Sequence, residues 1–302
     1  MTVNAILQSS PHVLVSLKSS GIQSIKDLKN KKYNTFSNDP NKEVTIKSML
    51  FSQNITLDNM IQTQYKYNIN NLIEGKADVV SAYSSNELYH LKNKNLDYNI
   101  WDPKDYGFDF YENILFTSKK TLNKNPKLVQ DFQQASIKGW EYAFDHIEET
   151  VEVILKKYNT LNKTKEALVY EANTLKKLAF YKTDTIGKIE ESKIQRIIDI
   201  YNLMGLLKNS IDLDKFIYQP TQTNLNDTNK NNKIKTSFLT EEQKNYLKDK
   251  KQITMCIDPA WMPFESFENG QHIGMTADYF KYLQKNLSTN KSIKNTTWMQ
   301  SM

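Results

Sequence analysis

The first ninety residues alternate between short apolar runs and short helical patterns, and this rhythm constrains the fold more than any other feature of the chain. Strands are predicted at Ala5–Leu7, His12–Leu17, Tyr33–Phe36, Met60–Gln64 and Ala77–Tyr83. Helices are predicted at Ser24–Asn30, Lys42–Gln53, Ile69–Glu74 and Asn86–Lys92. Strands and helices that alternate across short loops favour a parallel sheet covered by helices.

From Pro126 onwards the pattern becomes helical. Apolar residues recur at spacings of three and four in four segments, Pro126–Phe144, Ile147–Tyr158, Lys163–Phe180 and Lys188–Leu207. One stripe in the first of these segments predicts a helix face packed into a core, and it consists of Val129, Phe132, Ala135, Ile137 and Trp140.

A change of composition divides the chain. The segment Gln219–Lys235 lacks apolar periodicity and is rich in Asn, Thr and Lys, which predicts a flexible linker. We therefore predict a first domain at 1–218, a linker at 219–237 and the beginning of a second domain at 238–302. In the second domain the sequence predicts a strand at Ile253–Ile257, a loop at Asp258–Phe267 and a helix at Thr276–Asn286.

Composition excludes several classes of protein. Hydrophobic residues make up 39% of the chain and aromatic residues 11%, which is enough to fill cores and excludes wholesale disorder. No apolar run is long enough to insert into a membrane, and the segment 1–21 has neither the basic start nor the apolar block of a signal peptide. The net charge of +6 comes from scattered Lys, with Arg196 as the one arginine, so we expect no nucleic-acid partner.

The sequence offers no motif for catalysis or metal binding. Its one cysteine, Cys256, excludes an internal disulfide and a cysteine-based metal cluster. The four histidines are far apart, and there is no Walker loop, dinucleotide-binding glycine motif or nucleophile elbow. We therefore expect no cofactor, no metal, no catalytic residue and no enzyme activity in the residues present.

Four segments in order carry a family resemblance. SAYSSNEL at Ser81–Leu88, DYGFDFYENILFTS at Asp105–Ser118, KGWEYAFDHIEETVEVILKKYN at Lys138–Asn159 and LVYEAN at Leu168–Asn173 resemble the NMT1/THI5-like (SsuA/THI5-like) family, over about Val3 to Tyr218. The resemblance implies an α/β fold of the type II periplasmic binding proteins, a two-lobed flytrap, here with an incomplete N-terminal lobe and a helical C-terminal part. In that fold Ala5–Leu17 would cross between the lobes, so we expect Met1 not to be the natural start.

The segment Ile253–Phe280, ITMCIDPAWMPFESFENGQHIGMTADYF, resembles the opening strand, loop and helix of family 3 solute-binding domains. Residues 281–302 are too few to complete such a domain, so we expect it to be truncated. A THI5-like domain followed by a family 3 domain resembles the sensory half of bacterial histidine kinases or diguanylate cyclases.

Candidate ligand-binding residues lie where strands end, because open α/β sheets bind ligands beyond the carboxyl ends of their strands. They are Ser9, Ser10, Tyr83, Asn86, Glu87, Tyr106, Asp109 and Tyr111 in the first domain, and Asp258, Trp261, Phe264 and Asp278 in the second. Plainer roles stay open for several of them. Asn86 and Glu87 could serve only as a helix cap and a dipole partner, Ser9–Ser10 could form a turn, and the aromatic residues could pack between lobes.

Together these features predict an extracytoplasmic solute-binding sensor. Its ligand would be a small polar molecule such as a pyrimidine precursor of thiamine, and lobe closure would act on downstream transmembrane and signalling domains of the same polypeptide. The periplasmic location is implied by the family. One alternative is the substrate-binding subunit of an ABC transporter. A THI5-type pyrimidine synthase is a further alternative, but it requires a cysteine-rich motif that one cysteine cannot supply.

Overall fold

The computed structural model describes residues 1–35, 43–64, 69–219, 252–286 and 292–297, together with Asn245 and Asp249. The chain divides into two compact units, Met1–Glu148 with Glu166–Pro220 and Glu149–Lys165 with Thr221–Met302. The predicted linker at 219–237 lies outside the described residues except for Gln219. The predicted domain boundaries therefore stay a prediction.

A five-stranded sheet lies at the centre of the first unit. Its strands are β2 His12–Leu17, β3 Lys32–Thr35, β4 Ile61–Gln64, β5 Val79–Tyr83 and β6 Tyr98–Trp101, in the order β4-β3-β5-β2-β6. Strand β3 runs parallel to β4 and β5, whereas β2 is antiparallel to β5 and β6. Strands β3, β4, β5 and β6 therefore run in one direction, and β2 runs against them. The predicted parallel sheet is wrong for β2, because apolar periodicity does not specify the direction of non-local pairing.

Both faces of this sheet are covered. Leu14 belongs to one core cluster, with Tyr33, Met49 and Trp101, while its neighbours Val13 and Val15 belong to the cluster on the opposite face. The covering helices are α1 Val44–Ser52, α2 Asn70–Ile73 and α3 Glu87–Asn93, close to their predicted positions. The predicted helix at Ser24–Asn30 is a 3₁₀ turn, Ile25–Leu28, with a capping box between Ser24 and Asp27. Phe36 and Lys42, the ends of two predicted elements, lie outside the described residues.

A smaller sheet forms the second part of the same unit. Strand β1 Thr2–Leu7 pairs antiparallel with β7 Glu112–Phe116. The helices of this part are α4 Lys119–Lys124, α5 Pro126–Asp145, α7 Lys165–Ala179 and α8 Glu191–Leu203. Helix α6 Ile147–Lys157, between α5 and α7 in sequence, belongs almost entirely to the second unit. The four long helices predicted from the sequence are confirmed, with ends that differ by a few residues. Ile6 and Leu7 of β1 pack against Phe144 and Leu178. These contacts place the C-terminal ends of α5 and α7 on this sheet.

The apolar stripe of α5 is only partly buried. Val129 is buried, as predicted, but Phe132 is 55% exposed and Ala135 is also exposed. Phe132 lines an apolar groove together with Val3, Leu115, Phe116, Thr117, Thr121, Leu128 and Val129. The prediction of core packing is therefore wrong for this end of the stripe, because the apolar side chains line an open surface groove.

The second unit contains a short parallel pair of strands and a small antiparallel sheet. β8 Gln252–Ile257 pairs with β12 Ser292–Thr297, and β10 Glu265–Glu268 lies between β9 Ala260–Trp261 and β11 Gln271–Ile273. Helix α9 spans Met275–Asn286. The predicted strand and helix are confirmed, but the predicted loop Asp258–Phe267 contains β9 and most of β10. None of the helices within the described ranges is both long and apolar enough to cross a membrane.

Gly274 is required for the connection between β11 and α9. Its φ of +102° is rarely adopted by residues with a side chain, and an added Cβ would lie 2.7 Å from the Phe264 carbonyl oxygen. Both observations explain why glycine stands at this turn.

Candidate functional site

Two chain crossings join the two sheets of the first unit. Residues 8–11 lead from β1 to β2, and residues 102–111 lead from β6 to β7. The crossings lie side by side because β1 pairs with β7 and β2 pairs with β6. We call these two segments the hinge crossings.

Hydrogen bonds connect the hinge crossings at three predicted site residues. Ser9 Oγ donates to Asp109 Oδ1 at 2.6 Å. Ser10 Oγ donates to the carboxylate of Glu112, and it accepts a hydrogen bond from the His12 backbone N–H at 3.1 Å. Ser9 therefore links the two crossings, and Ser10 links the first crossing to the start of β7.

A narrow recess lies beside these hydrogen bonds, and it leaves no room for a water molecule. It is lined by Ser9, Ser10, His12, Thr45, Asp102, Pro103, Lys104, Phe108 and Phe110. Its lining combines hydroxyl groups, an imidazole, a lysine–aspartate pair and two aromatic rings. Such a mixture of apolar faces and a few polar groups is typical of ligand sites. A ligand fits here only after the recess widens.

Tyr83, Asn86 and Glu87 form one tight turn at the end of β5. Glu87 Oε2 accepts the Tyr83 backbone N–H at 2.8 Å, and Glu87 Oε1 accepts the Asn86 side-chain amide at 3.2 Å. Asn86 makes no side-chain cap to α3, so its predicted alternative role as a helix cap is not the one it has here. The Glu87 side chain is buried within the turn, whereas Tyr83 is 37% exposed.

Tyr83 adjoins the recess through His12. The two rings lie 5.6 Å apart, centroid to centroid. Burial, followed by the carboxylates of Glu112, Glu87 and Glu43, raises the pKa of the Tyr83 hydroxyl to about 12. The hydroxyl therefore stays protonated at neutral pH, and the three carboxylates give its surroundings a negative potential.

Glu43 is a buried carboxylate that holds several groups near the recess. It accepts hydrogen bonds from the hydroxyls of Thr35, Ser81 and Tyr33, and His12 Nε2 lies 3.4 Å from its Oε1. Burial by itself raises the pKa of the Glu43 carboxyl, but its contacts with His12, Ser81 and Thr35 outweigh burial and hold that pKa below its ordinary value. Glu43 is thus charged at neutral pH and positions His12.

Lys193 of α8 contacts both hinge crossings. Its Nζ donates to Asp109 Oδ2 at 2.7 Å and to the Gln8 carbonyl at 2.5 Å, and it lies 4.6 Å from the centroid of the Tyr111 ring. Burial lowers the pKa of the Lys193 ammonium, although Asp109 acts in the other direction. Tyr111 is buried, and its hydroxyl accepts the Glu190 backbone N–H at 3.0 Å. Asp109 and Tyr111 are therefore engaged by α8.

The remaining aromatic residues of the predicted cluster have packing roles. Tyr106 is partly buried against the core cluster that contains Leu14 and Trp101. Phe110 is buried, lines the recess and stacks on Tyr201 with centroids 6.0 Å apart. The structure thus places Tyr106 in a packing position, which was the plainer of its two predicted roles.

The candidate residues of the second unit fall into two groups. Asp258 donates its backbone N–H to Glu265 Oε1 at 2.9 Å, and the exposed rings of Trp261 and Phe264 lie 4.8 Å apart. Asp278, at the start of α9, accepts the hydroxyl of Tyr158 at 2.7 Å. A ligand role for these four residues stays a prediction.

Sequence reasoning missed Glu43, His12, Glu112 and Lys193. Glu43 precedes α1 with a left-handed backbone, φ +55°, and makes no side-chain cap there. Nothing in its sequence neighbourhood distinguishes it from a surface glutamate, and Lys193 resembles the other lysines of its segment. Their significance comes from tertiary contacts that local spacing does not encode. Within the described ranges, no group of three or more His, Cys, Asp or Glu side chains is arranged to hold a metal ion.

Comparison with known families places this geometry in context. Residues 1–150 match the sequence profile described as NMT1/THI5 like. This part of the chain is similar to the NMT1/THI5-like family. The family 3 resemblance of the second unit stays a prediction.

A curated relative and two solved structures are similar to parts of this chain. The formylaminopyrimidine-binding protein of Halalkalibacterium halodurans is 27% identical over 93 residues, which is 30% of this chain and 28% of that protein. The match thus spans under a third of the relative's length.

The solved structures show the fold. The periplasmic aliphatic sulphonate binding protein SsuA of Escherichia coli has a TM-score of 0.51 at 16% identity, over 70% of this chain and 67% of its own. The alkanesulfonate-binding protein SsuA of Xanthomonas axonopodis pv. citri, bound to MOPS, has a TM-score of 0.51 at 9% identity, over 72% of this chain and 73% of its own. The predicted fold class, that of the periplasmic binding proteins, is confirmed.

Proposed function

We propose that the NMT1/THI5-like domain binds a small, flat, polar molecule of the aminopyrimidine type beside its hinge crossings. The observation that carries this proposal is the convergence of Ser10, His12, Tyr83 and Glu87 at strand ends next to a recess with aromatic walls. Carboxylates accept hydrogen bonds from ring amino groups, and aromatic faces stack on a planar heterocycle.

The charge of the site distinguishes this ligand class from sulfonates. Glu43, Glu87 and Glu112 all act on Tyr83, whereas Lys104 and Lys193 each lie against an aspartate. A sulfonate would meet carboxylates of its own charge sign, while an aminopyrimidine would meet hydrogen-bond acceptors. The named ligand of the Halalkalibacterium halodurans relative supports the same class.

Isothermal titration calorimetry on the whole chain tests this proposal. We expect formylaminopyrimidine to bind and MOPS to give no heat of binding. Binding of MOPS with no binding of the pyrimidine would overturn the assignment of ligand class, and heat from neither compound would overturn the site.

We also propose that the chain is the extracytoplasmic input region of a sensor, in which ligand-induced closure acts on downstream membrane and signalling domains. The presence of a second compact unit in the same chain supports this role. The substrate-binding subunit of an ABC transporter is the second candidate, supported by the fold shared with SsuA proteins. The coding sequence beyond Met302 separates them. A transmembrane helix followed by a kinase or cyclase domain would support the sensor, and an early stop codon would contradict it.

A further inference from the structure

Lys193 occupies a position from which it can control the geometry of the hinge crossings. It is the residue of α8 that contacts both crossings, at the Gln8 carbonyl in the first and at Asp109 in the second. Because Ser9 donates to the other oxygen of Asp109, the ammonium, the carboxylate and the hydroxyl form one continuous chain across the hinge.

This connection is protected from solvent. The side chains of Lys193 and Asp109 are 16% and 23% exposed. Ion pairs with restricted access to water are stronger than exposed pairs, and charge-assisted hydrogen bonds are about twice as strong as neutral ones. The contact with the Tyr111 ring fixes the lysine further, since that ring is itself anchored to the Glu190 backbone.

Any change in the angle between the two sheets must pass through the hinge crossings, because they are the segments that join β1 to β2 and β6 to β7. Helix α8 packs on the β1 side, where Ile194 and Ile198 share a core cluster with Ala5. A residue that ties α8 to both crossings therefore resists rotation of the five-stranded sheet against the β1–β7 sheet.

We propose that Lys193 is a positioning residue that clamps the two hinge crossings and so sets the geometry of the recess beside them. This inference deepens the proposed function, since it names a residue that controls the same site. It concerns a motion that can be measured without any ligand.

Spin labels on the two parts of the first unit test the clamp. Lys94 is exposed at the end of α3, and Lys177 is exposed on α7. Both positions are changed to cysteine for labelling in the whole chain, and Cys256→Ser removes the native thiol. Double electron–electron resonance then gives the distance distribution between the labels. We expect Lys193→Met to broaden this distribution and Lys193→Arg to restore it.

Two further variants keep the test decisive. Lys188→Met removes an exposed ion pair with Glu190 in the segment just before α8, and it should leave the distance distribution unchanged. Asp109→Asn removes the charge of the ion-pair partner and keeps an acceptor for Ser9, and it should also broaden the distance distribution. This variant tests the clamp even where Lys193→Met does not fold.

Two results would separate the clamp from the proposed function. If Lys193→Met and Asp109→Asn lower the melting temperature but keep the narrow distribution of the unaltered chain, the ion pair is only structural and the clamp is overturned. If the distribution broadens while calorimetry finds no pyrimidine binding, the clamp stands and the proposed function fails.

Discussion

At the scale of single residues, Glu87 has two separable roles. Its carboxylate closes the turn after β5 by accepting the Tyr83 N–H, and it stands in the first turn of α3, where a negative charge favours the helix dipole. The proposed ligand site adds a third partner to the same carboxylate. Substitution by glutamine keeps the shape and one acceptor oxygen for the Tyr83 N–H. It removes the charge and replaces the oxygen that accepts the Asn86 amide with an NH₂ group.

We predict that Glu87→Gln weakens pyrimidine binding by about 1–3 kcal/mol, the cost of losing a charged hydrogen-bond partner in a desolvated site. Its effect on folding should be smaller, roughly 0.3–1 kcal/mol. Calorimetry gives the first quantity and thermal melting the second. Glu191→Gln, a first-turn glutamate of α8 away from the recess, is the matched control. An unchanged affinity with a lowered melting temperature would reduce Glu87 to a structural residue.

Glu43 gives a prediction about pH. Its contacts hold the pKa of its carboxyl below the ordinary value of 4.5, so the folded state stabilises the charged form. A group whose pKa is lower in the folded state contributes stability above its unfolded pKa and loses it as the pH falls through the folded pKa. The contribution of Glu43 is therefore complete near neutral pH and declines only below 4.5.

Glu43→Gln should accordingly lower the melting temperature at neutral pH, and the difference from the unaltered chain should shrink as the pH falls below about 4.5. Melting curves measured as a function of pH check this expectation. A difference that stays constant down to strongly acidic pH would show that the lost packing and hydrogen bonds, not the charge, explain the destabilisation.

At the scale of elements, the contact between α6 and α9 has a measurable strength. Tyr158, just after α6, donates its hydroxyl to Asp278 in the first turn of α9, and both residues belong to the second unit. Burial, followed by Asp278, raises the pKa of the Tyr158 hydroxyl to about 12, so the donor is retained throughout the neutral range.

We predict that Tyr158→Phe destabilises the second unit by about 1.5–3 kcal/mol, the range for a hydrogen bond to a charged group. A double-mutant cycle with Asp278→Asn isolates this bond, because the two substitutions should then be non-additive. Tyr170→Phe, which removes a hydrogen bond to the Ser84 carbonyl in the first unit, is the control. Additive effects would show that the two side chains do not interact in solution.

The elements also show how far the sequence could predict this molecule. The long helices α5, α7 and α8 were predictable because their apolar spacing is local. The direction of β2 was not, because it depends on pairing with β5 and β6, which lie far away in sequence. The same distinction applies to the site. Ser9, Ser10 and Glu87 follow strand ends and could be predicted, while Glu43 and Lys193 acquire their roles only through partners in distant elements.

At the scale of the whole molecule, the apolar groove beside β7 leaves large apolar side chains exposed. Phe116 is 77% exposed, Leu128 56% and Phe132 55%. These side chains line one groove and are not scattered singly. A contiguous apolar surface of this kind promotes association, because it remains in contact with water until another surface covers it.

We predict that the chain self-associates as its concentration rises and that Phe116→Ser combined with Phe132→Ser suppresses this association. Each phenylalanine side chain that becomes buried stabilises a contact by up to about 1.5–3 kcal/mol, so removing two should shift the equilibrium strongly towards monomer. Sedimentation velocity over a concentration series measures the shift. Phe51→Ser is the control, since Phe51 is 59% exposed on α1 but does not line the groove. If Phe51→Ser suppresses association equally, general surface hydrophobicity is the cause. If the unaltered chain stays monomeric throughout the series, the groove does not drive association at all.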